Sequence, residues 1–235
     1  MQLFYSPEIS ETNDHYTFGK EESRHIIKVL RKKKHDPVHL TNGKGDLFKG
    51  EIVNEDAKQC KIKIVEHKKH HPERHYLHLA VAPTKMNDRY EWFVEKATEI
   101  GVHEITPLIC ERSERKTVKM ERLARVAQAA MKQSLQTFLP KINAPVTFAD
   151  FMEQPLQGLA FIAHCEATER HELKRRVAAD RDVTLIVGPE GDFSTEEIKK
   201  AIAAGYHPVS LGKTRLRTET AAIVACATVA LVNNT

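Results

Sequence analysis

Two stretches late in the chain concentrate residue types that could hold and turn over a small molecule. The first, Leu185-Ile186-Val187-Gly188-Pro189-Glu190-Gly191-Asp192-Phe193-Ser194, runs a buried-type strand into a loop with two glycines and a proline. Glycines let a backbone approach a ligand closely, and bare peptide groups can read the edge of an adenine. Open α/β folds hold ligands at the C-terminal ends of their parallel strands, although locally the pattern equally fits an ordinary βα turn. The second stretch runs from Leu211 to Ala221 and gathers Arg217, Thr218, Glu219 and Thr220 where a nearly all-apolar helix begins. Thr218 could cap that helix and its dipole would stabilise Glu219. A cap on a solvated edge accounts for the same residues.

A third concentration is electrostatic: Arg24, Lys28, Arg31, Lys32, Lys33 and Lys34 lie within one short segment. Such a cluster suits a phosphate backbone, while any one of these lysines alone is equally a solvated surface charge. Other chemistries are disfavoured. The 185–194 loop carries neither G-x-G-x-x-G nor G-K-[ST], which argues against a nicotinamide or ATP enzyme. The three histidines of Glu-His-Lys-Lys-His-His-Pro-Glu-Arg (66–74) match no standard ligand spacing, so that stretch reads as a solvated linker and no metal is expected.

The elements that must position these residues fall into two patterns. Residues 37–41, 47–53 and 60–64 read as short strands, the first two joined by the turn Asn42-Gly43-Lys44-Gly45-Asp46, and 21–34 reads as a helix with acids early and bases late. This mixture suggests a small β-barrel. From Tyr76 onward strands alternate with helices, the mark of an α/β layer with a parallel sheet. Strands are expected at 77–82, 105–109, 159–163, 183–187 and 209–211. Helices are expected at 88–100, 118–139, from the capping box Ser194-Thr195-Glu196-Glu197 to Gly205, and over 218–233.

Bulk properties set the frame. The 235 residues carry 36 Lys plus Arg against 32 Asp plus Glu, a formal charge of +4 that permits an RNA partner without demanding one. Cys60, Cys110, Cys165 and Cys226 show no paired spacing and read as reduced thiols. The segment MQLFYSPEIS has neither a basic leader nor an apolar signal core, and the apolar run 221–232 is shorter than the roughly 20 residues of a membrane span. A soluble cytoplasmic protein is expected.

Taken together, GPEGDFS (188–194), LGKTRLRTETAA (211–222), DRYEWFVEKATEIGV (88–102) and HIIKVLR (25–31) resemble the 16S ribosomal RNA uracil-N3 methyltransferases of the SPOUT superfamily. The four motifs span nearly the whole chain in the family's order. The resemblance implies a PUA-like RNA-binding β-barrel over residues 1–72, followed by an α/β SPOUT domain over 73–235. It also implies S-adenosylmethionine held in a deep trefoil knot, a homodimer, and 16S rRNA of the small ribosomal subunit as partner, with no DNA or membrane partner. General preference disfavours threaded chains, so the knot rests on the resemblance alone.

The same resemblance assigns residues. His164, Gly188, Gly191, Leu211, Gly212, Leu216, Arg217 and Thr220 would line the cofactor, with His164 equally readable as a buried structural histidine. Methylating uracil N3 requires loss of a poorly nucleophilic imide proton, so Arg217 is the candidate to steady a carbonyl or the anion and Glu219 the candidate proton acceptor. His25, Lys28, Arg31 and Lys33 would contact RNA, and Lys85 and Arg89 could extend that path. Two departures stand out: Met131-Lys132-Gln133-Ser134-Leu135-Gln136 replaces a Glu-Gln-Ser followed by arginines, and Asp192 replaces a second glycine after GPEG. A methyltransferase of another RNA position or of ribose 2′-oxygen, a non-catalytic RNA-binding assembly factor and a small-molecule enzyme are the rival readings.

Overall fold

Alternating apolar residues and early turns give the first seventy residues a small mixed sheet. A computed structural model describes residues 1–166 and 170–233. The chain forms β1 (Leu3–Tyr5), β2 (His15–Thr17), α1 (Lys20–Arg24), a wider π turn over His25–Val29, β3 (Pro37–Thr41), β4 (Asp46–Asn54) and β5 (Lys61–Lys69). These strands make a five-stranded sheet in the order β1-β3-β4-β5-β2, antiparallel except for β1 against β3. Phe4, Ile26, Leu40, Phe48, Ile52 and Ile62 fill its interior.

Three expected boundaries are corrected here. The helix expected over 21–34 stops at Val29, because Arg31 adopts a left-handed backbone (φ 54°) and the Lys32 N–H donates back to the Ile26 carbonyl at 3.1 Å. The polar stretch expected as a linker from residue 66 begins as strand: β5 continues to Lys69, and His67 Nε2 lies 2.8 Å from Asp46 Oδ1 across the β4–β5 pair. The helix expected over 118–139 is shorter, α3 (Met120–Gln133), and Leu135 turns left-handed at φ 60°.

That early stop has a tertiary cause. Residues 137–139 leave the helix to join the glycine turn between β3 and β4. Gly45 N–H donates to Thr137 O and Leu139 N–H to Gly43 O, each at 2.9 Å. Both glycines have positive φ, and a Cβ on Gly45 would stand 2.6 Å from the Phe138 ring. The chain accordingly divides into two compact units. One joins Met1–Pro72 with Met131–Leu139, and the other joins Glu73–Ala130 with Pro140–Thr235. A single cut after residue 72 does not anticipate the nine-residue return.

In the second unit come β6 (Leu77–Val81), α2 (Asn87–Ile100), β7 (Glu104–Ile109), α3 up to Ala130, β8 (Lys141–Ile142), β9 (Val146–Thr147), α4 (Phe148–Met152) and β10 (Leu159–Ala163). Next are β11 (His171–Glu172), a short 3-10 turn, β12 (Val183–Val187), α5 (Thr195–Ala203), β13 (His207–Ser210) and α6 (Thr218–Asn233). The strands form one sheet ordered β11-β13-β10-β12-β6-β7-β8, with β9 also on β7, and every pair is parallel. Continuous apolar runs such as Leu-Ala-Phe-Ile-Ala and Val-Thr-Leu-Ile-Val suit central strands covered on both faces. Gly101 closes α2 in the left-handed region, and Ser194 and Glu197 cap α5 with the reciprocal bonds of a capping box. An α/β parallel sheet and a small separate β unit are thus the observed fold class.

Candidate functional site

Parallel strands send all their C-termini to one edge, and three neighbours, β13, β10 and β12, end side by side there. Their following loops, with the start of α6, surround a cleft of about 260 Å³ whose walls include Val187, Gly188, Glu190, Asp192, Leu216 and Arg217. A smaller adjoining hollow of about 70 Å³ is lined by His164, Leu211, Gly212 and Leu216 among others. Ala163, Cys165, Leu216 and Ala221 belong to both hollows. Apolar walls with few polar groups are what small-ligand sites require.

The loop after β12 is held from several sides. Arg112 donates from Nη1 to the Gly191 carbonyl at 3.1 Å and to the Phe193 carbonyl at 3.2 Å. A Cβ on Gly191 would lie 3.3 Å from Arg112 Cβ, and one on Gly188 would lie 3.0 Å from the Phe193 ring. Glycine at 188 is therefore a packing requirement as well as an open backbone. Asp192 takes φ 63°, a conformation in which glycine is easiest and Asp or Asn next. Its carboxylate accepts from the Phe193 N–H at 2.9 Å and from the Cys165 N–H, in the loop after β10, at 2.7 Å.

The loop after β13 is different. Gly212, Lys213, Thr214, Arg215 and Arg217 are exposed, and among the described residues Lys213, Thr214 and Arg217 have no side-chain partner. Arg215 Nη2 reaches the Glu190 carbonyl at 3.4 Å. Thr218 does not cap α6 as expected: its Oγ1 donates 3.0 Å to the buried Gly188 carbonyl, and Arg217 occupies the cap position, its carbonyl accepting from Ala221 N–H at 2.8 Å. This hydroxyl ties the first turn of α6 to the loop after β12.

Of the expected cofactor residues, Gly188, Leu216 and Arg217 line the larger cleft, and His164, Leu211, Gly212 and Leu216 the smaller hollow. Gly191 and Thr220 line neither. The His164 ring is buried, and both its nitrogens lack a hydrogen-bond partner among the described residues. Burial first, and then the Arg170 guanidinium, hold its imidazole below the usual range, which favours the neutral form. Glu219 is 8 % exposed and sits outside the lining, 3.9 Å from Arg89 Nε. The structure thus separates the two expected catalytic residues: Arg217 faces the cleft and Glu219 is turned to an arginine.

The expected RNA-contact residues differ in availability. In the first unit Lys28, Arg31 and Lys33 are exposed, and His25 is half-buried with Nδ1 4.0 Å from Glu22 Oε2. In the second unit Lys85 Nζ pairs with Glu114 at 2.9 Å, and Arg89 is engaged by Glu219. The linker histidines His67 and His70 are bonded to Asp46 and Thr137. Sequence reasoning flagged Asp192 as a departure but missed its bonds, and it missed Arg112 and the true partner of Thr218. Asp at a site needing left-handed backbone was the one legible hint; the other two depend on contacts between distant segments.

Comparison with known proteins adds to this geometry. A family model described as an RNA methyltransferase domain matches residues 71–230, and one described as an RNA methyltransferase PUA domain matches residues 18–65. Ribosomal RNA small subunit methyltransferase E of Rickettsia conorii is 30% identical over 238 residues, covering 99% of this chain and 93% of its own. Among solved structures, a "probable rRNA-methyltransferase" from Porphyromonas gingivalis aligns with TM-score 0.92 and 38% identity over 100% of this chain and 99% of that one. Ribosomal RNA small subunit methyltransferase E from Neisseria gonorrhoeae, solved bound to S-adenosyl methionine, aligns with TM-score 0.84 and 25% identity over 99% and 98%. Fold and matches define the class, an RNA methyltransferase enzyme joined to a PUA-type domain, with RNA as its partner. Within that class the chain belongs to the ribosomal RNA small subunit methyltransferase E family.

Proposed function

We propose that this chain transfers a methyl group from S-adenosylmethionine to N3 of one uridine in 16S rRNA of the small ribosomal subunit. The observation that carries the reading is the cleft at the ends of β10, β12 and β13, built from the loops that bear the family's motifs. Its residues fit the cofactor: Val187, Ala163 and Leu216 offer apolar walls, Gly188 brings bare backbone close, and the His164 ring has bonding capacity to spare. His164, Gly188, Leu211, Gly212, Leu216 and Arg217 would hold it, with Leu211 and Leu216 against the adenine. Gly191 and Thr220 lie outside both hollows, and Gly191 contributes through its carbonyl, which Arg112 holds. When bound, the cofactor supplies a methyl group activated on a sulfonium.

The protein must do the rest. Arg217, exposed at the N-terminus of α6 and lining the cleft, would hold a uracil carbonyl and steady the charge that develops as the imide proton leaves. Glu219 would take that proton, exchanging its present contact with Arg89 for the docked base. Holding base and donor in line supplies much of the acceleration. His25, Lys28, Arg31 and Lys33 in the first unit, and Lys85 and Arg89 in the second, would engage phosphates and make binding fall with salt.

Two assembly statements belong to the same reading. α6 is apolar all round, yet Ile223, Val224 and Ala227 are only half-buried and Leu231 is 70 % exposed, which supports a homodimer closing over that helix. Cytoplasmic action follows from a ribosomal substrate; among the described residues no helix is long and apolar enough to cross a membrane. The decisive experiment incubates the protein with labelled S-adenosylmethionine and unmodified 30S subunits and maps the labelled nucleoside. Label at N3 of a single uridine is expected. Label at another base position or a ribose oxygen, or none, defeats the assignment.

A further inference from the structure

We propose that Asp192 is a positioning residue, a carboxylate latch that joins two of the cleft-forming loops and sets cofactor affinity. The inference rests on the cofactor reading of the cleft given above. The loops after β10 and β12 leave adjacent parallel strands, so they start side by side, with Ala163 in register with Val187. Beyond the strands no backbone hydrogen bond joins them among the described residues. Asp192 takes over that role: Oδ2 accepts from the Cys165 N–H at 2.7 Å while Oδ1 accepts from the Phe193 N–H at 2.9 Å. One carboxylate thereby orients the loop after β10 and fixes its own turn. Both residues it connects, Asp192 and Cys165, line the larger cleft.

The backbone conformation argues that this side chain is retained for what it bonds. At φ 63° glycine would be less strained, and glycine is what the family resemblance leads one to expect here. An aspartate tolerates the conformation and returns two charge-assisted bonds, which are stronger than neutral ones. A second link between the same segments, Thr195 Oγ1 to Glu166 Oε1 at 2.7 Å, is exposed and depends on two freely rotating side chains. It cannot aim the Cys165 amide. The latch also fixes the segment bearing His164, whose ring lies in the adjoining hollow, so its loss would disturb both parts of the site at once.

Asp192→Gly separates the latch from the backbone, because it eases φ while deleting both bonds, and Asp192→Asn retains one accepting oxygen. Affinity for S-adenosylhomocysteine is measured by calorimetry, and amide exchange over residues 164–166 by mass spectrometry, on the full chain. Asp192→Gly should weaken binding about tenfold, with Asp192→Asn in between, in line with hydrogen bonds to a charged group. Exchange at the Cys165 amide should quicken in the same order, and turnover at saturating cofactor should change less than affinity. Unchanged exchange and affinity in both variants would overturn the latch. A wild-type chain that binds no S-adenosylhomocysteine would overturn the cofactor reading instead, and faster exchange at Cys165 in the variants would still support the latch.

Discussion

The two loops that face each other through Thr218 and Gly188 are built on opposite principles. Residues 188–194 are bonded from several directions, by Arg112, by Asp192 and by the Ser194–Glu197 capping box. Residues 212–215 and 217 are exposed, and among the described residues most of their polar side chains have no partner. The lesson is a division of labour. A preformed wall needs no ordering when a ligand arrives, whereas an unpartnered one keeps its charged groups available for a substrate that brings its own phosphates and carbonyls.

Substitutions can break or sharpen that contrast. The largest effect is expected in the open loop: Arg217→Ala should lower methyl incorporation into 30S subunits by about 100-fold while S-adenosylhomocysteine still binds, as loss of a group acting on developing charge does. A loss of tenfold or less, in Arg217→Ala or likewise in Glu219→Ala, would remove that residue from the chemistry. In the braced loop Gly188→Ala places a methyl 3.0 Å from Phe193 and should weaken cofactor binding roughly tenfold, read by calorimetry, as overpacking a preformed wall would. Equal turnover loss with full affinity would reverse the proposed division. Between the loops, Thr218→Val strands the buried Gly188 carbonyl and should cost about 1–3 kcal/mol in denaturant unfolding.

A smaller effect concerns pH. Because His164 is held below its usual range in the folded chain, the unfolded chain binds the extra proton first. Its contribution to stability is complete above the ordinary value of 6.5 and is lost as pH falls below it. The melting temperature of His164→Asn should therefore fall less steeply than that of wild type between neutral and mildly acidic pH. Smallest of all, Lys213→Ala, in the open loop and outside both hollows, should leave stability within about 0.5 kcal/mol in the same unfolding assay.

Much of this was legible because local rules agree with the fold in the second unit. The runs 159–163 and 183–187 are apolar on both faces and became strands with the expected bounds, and the Ser194 box opened its helix as written. Errors came where a distant segment decided the outcome. Residues 134–139 have helix-compatible chemistry, but the glycine turn at 43–45 offers the Gly45 N–H, the Gly43 carbonyl and a socket for Phe138 that a continuing helix would forgo. The lysines at 32–34 continue a plausible helix on paper, yet the wide turn at Ile26 and the Asp36 carboxylate, which accepts from the Lys33 N–H at 2.7 Å, draw them out of it. At the candidate site the loops were readable and the ties between them were not, since neither Arg112 nor the Asp192–Cys165 bond leaves a trace in spacing.

The strap at 131–139 bears on how the molecule is made. During synthesis the first seventy residues emerge from the ribosome with the notch beside Gly45 empty, and they stay so until about as many again have been added. Early folding of that region must therefore be provisional, awaiting Phe138 to seal it. A fragment cut after Pro72 should be looser and greasier than the same residues in the finished chain.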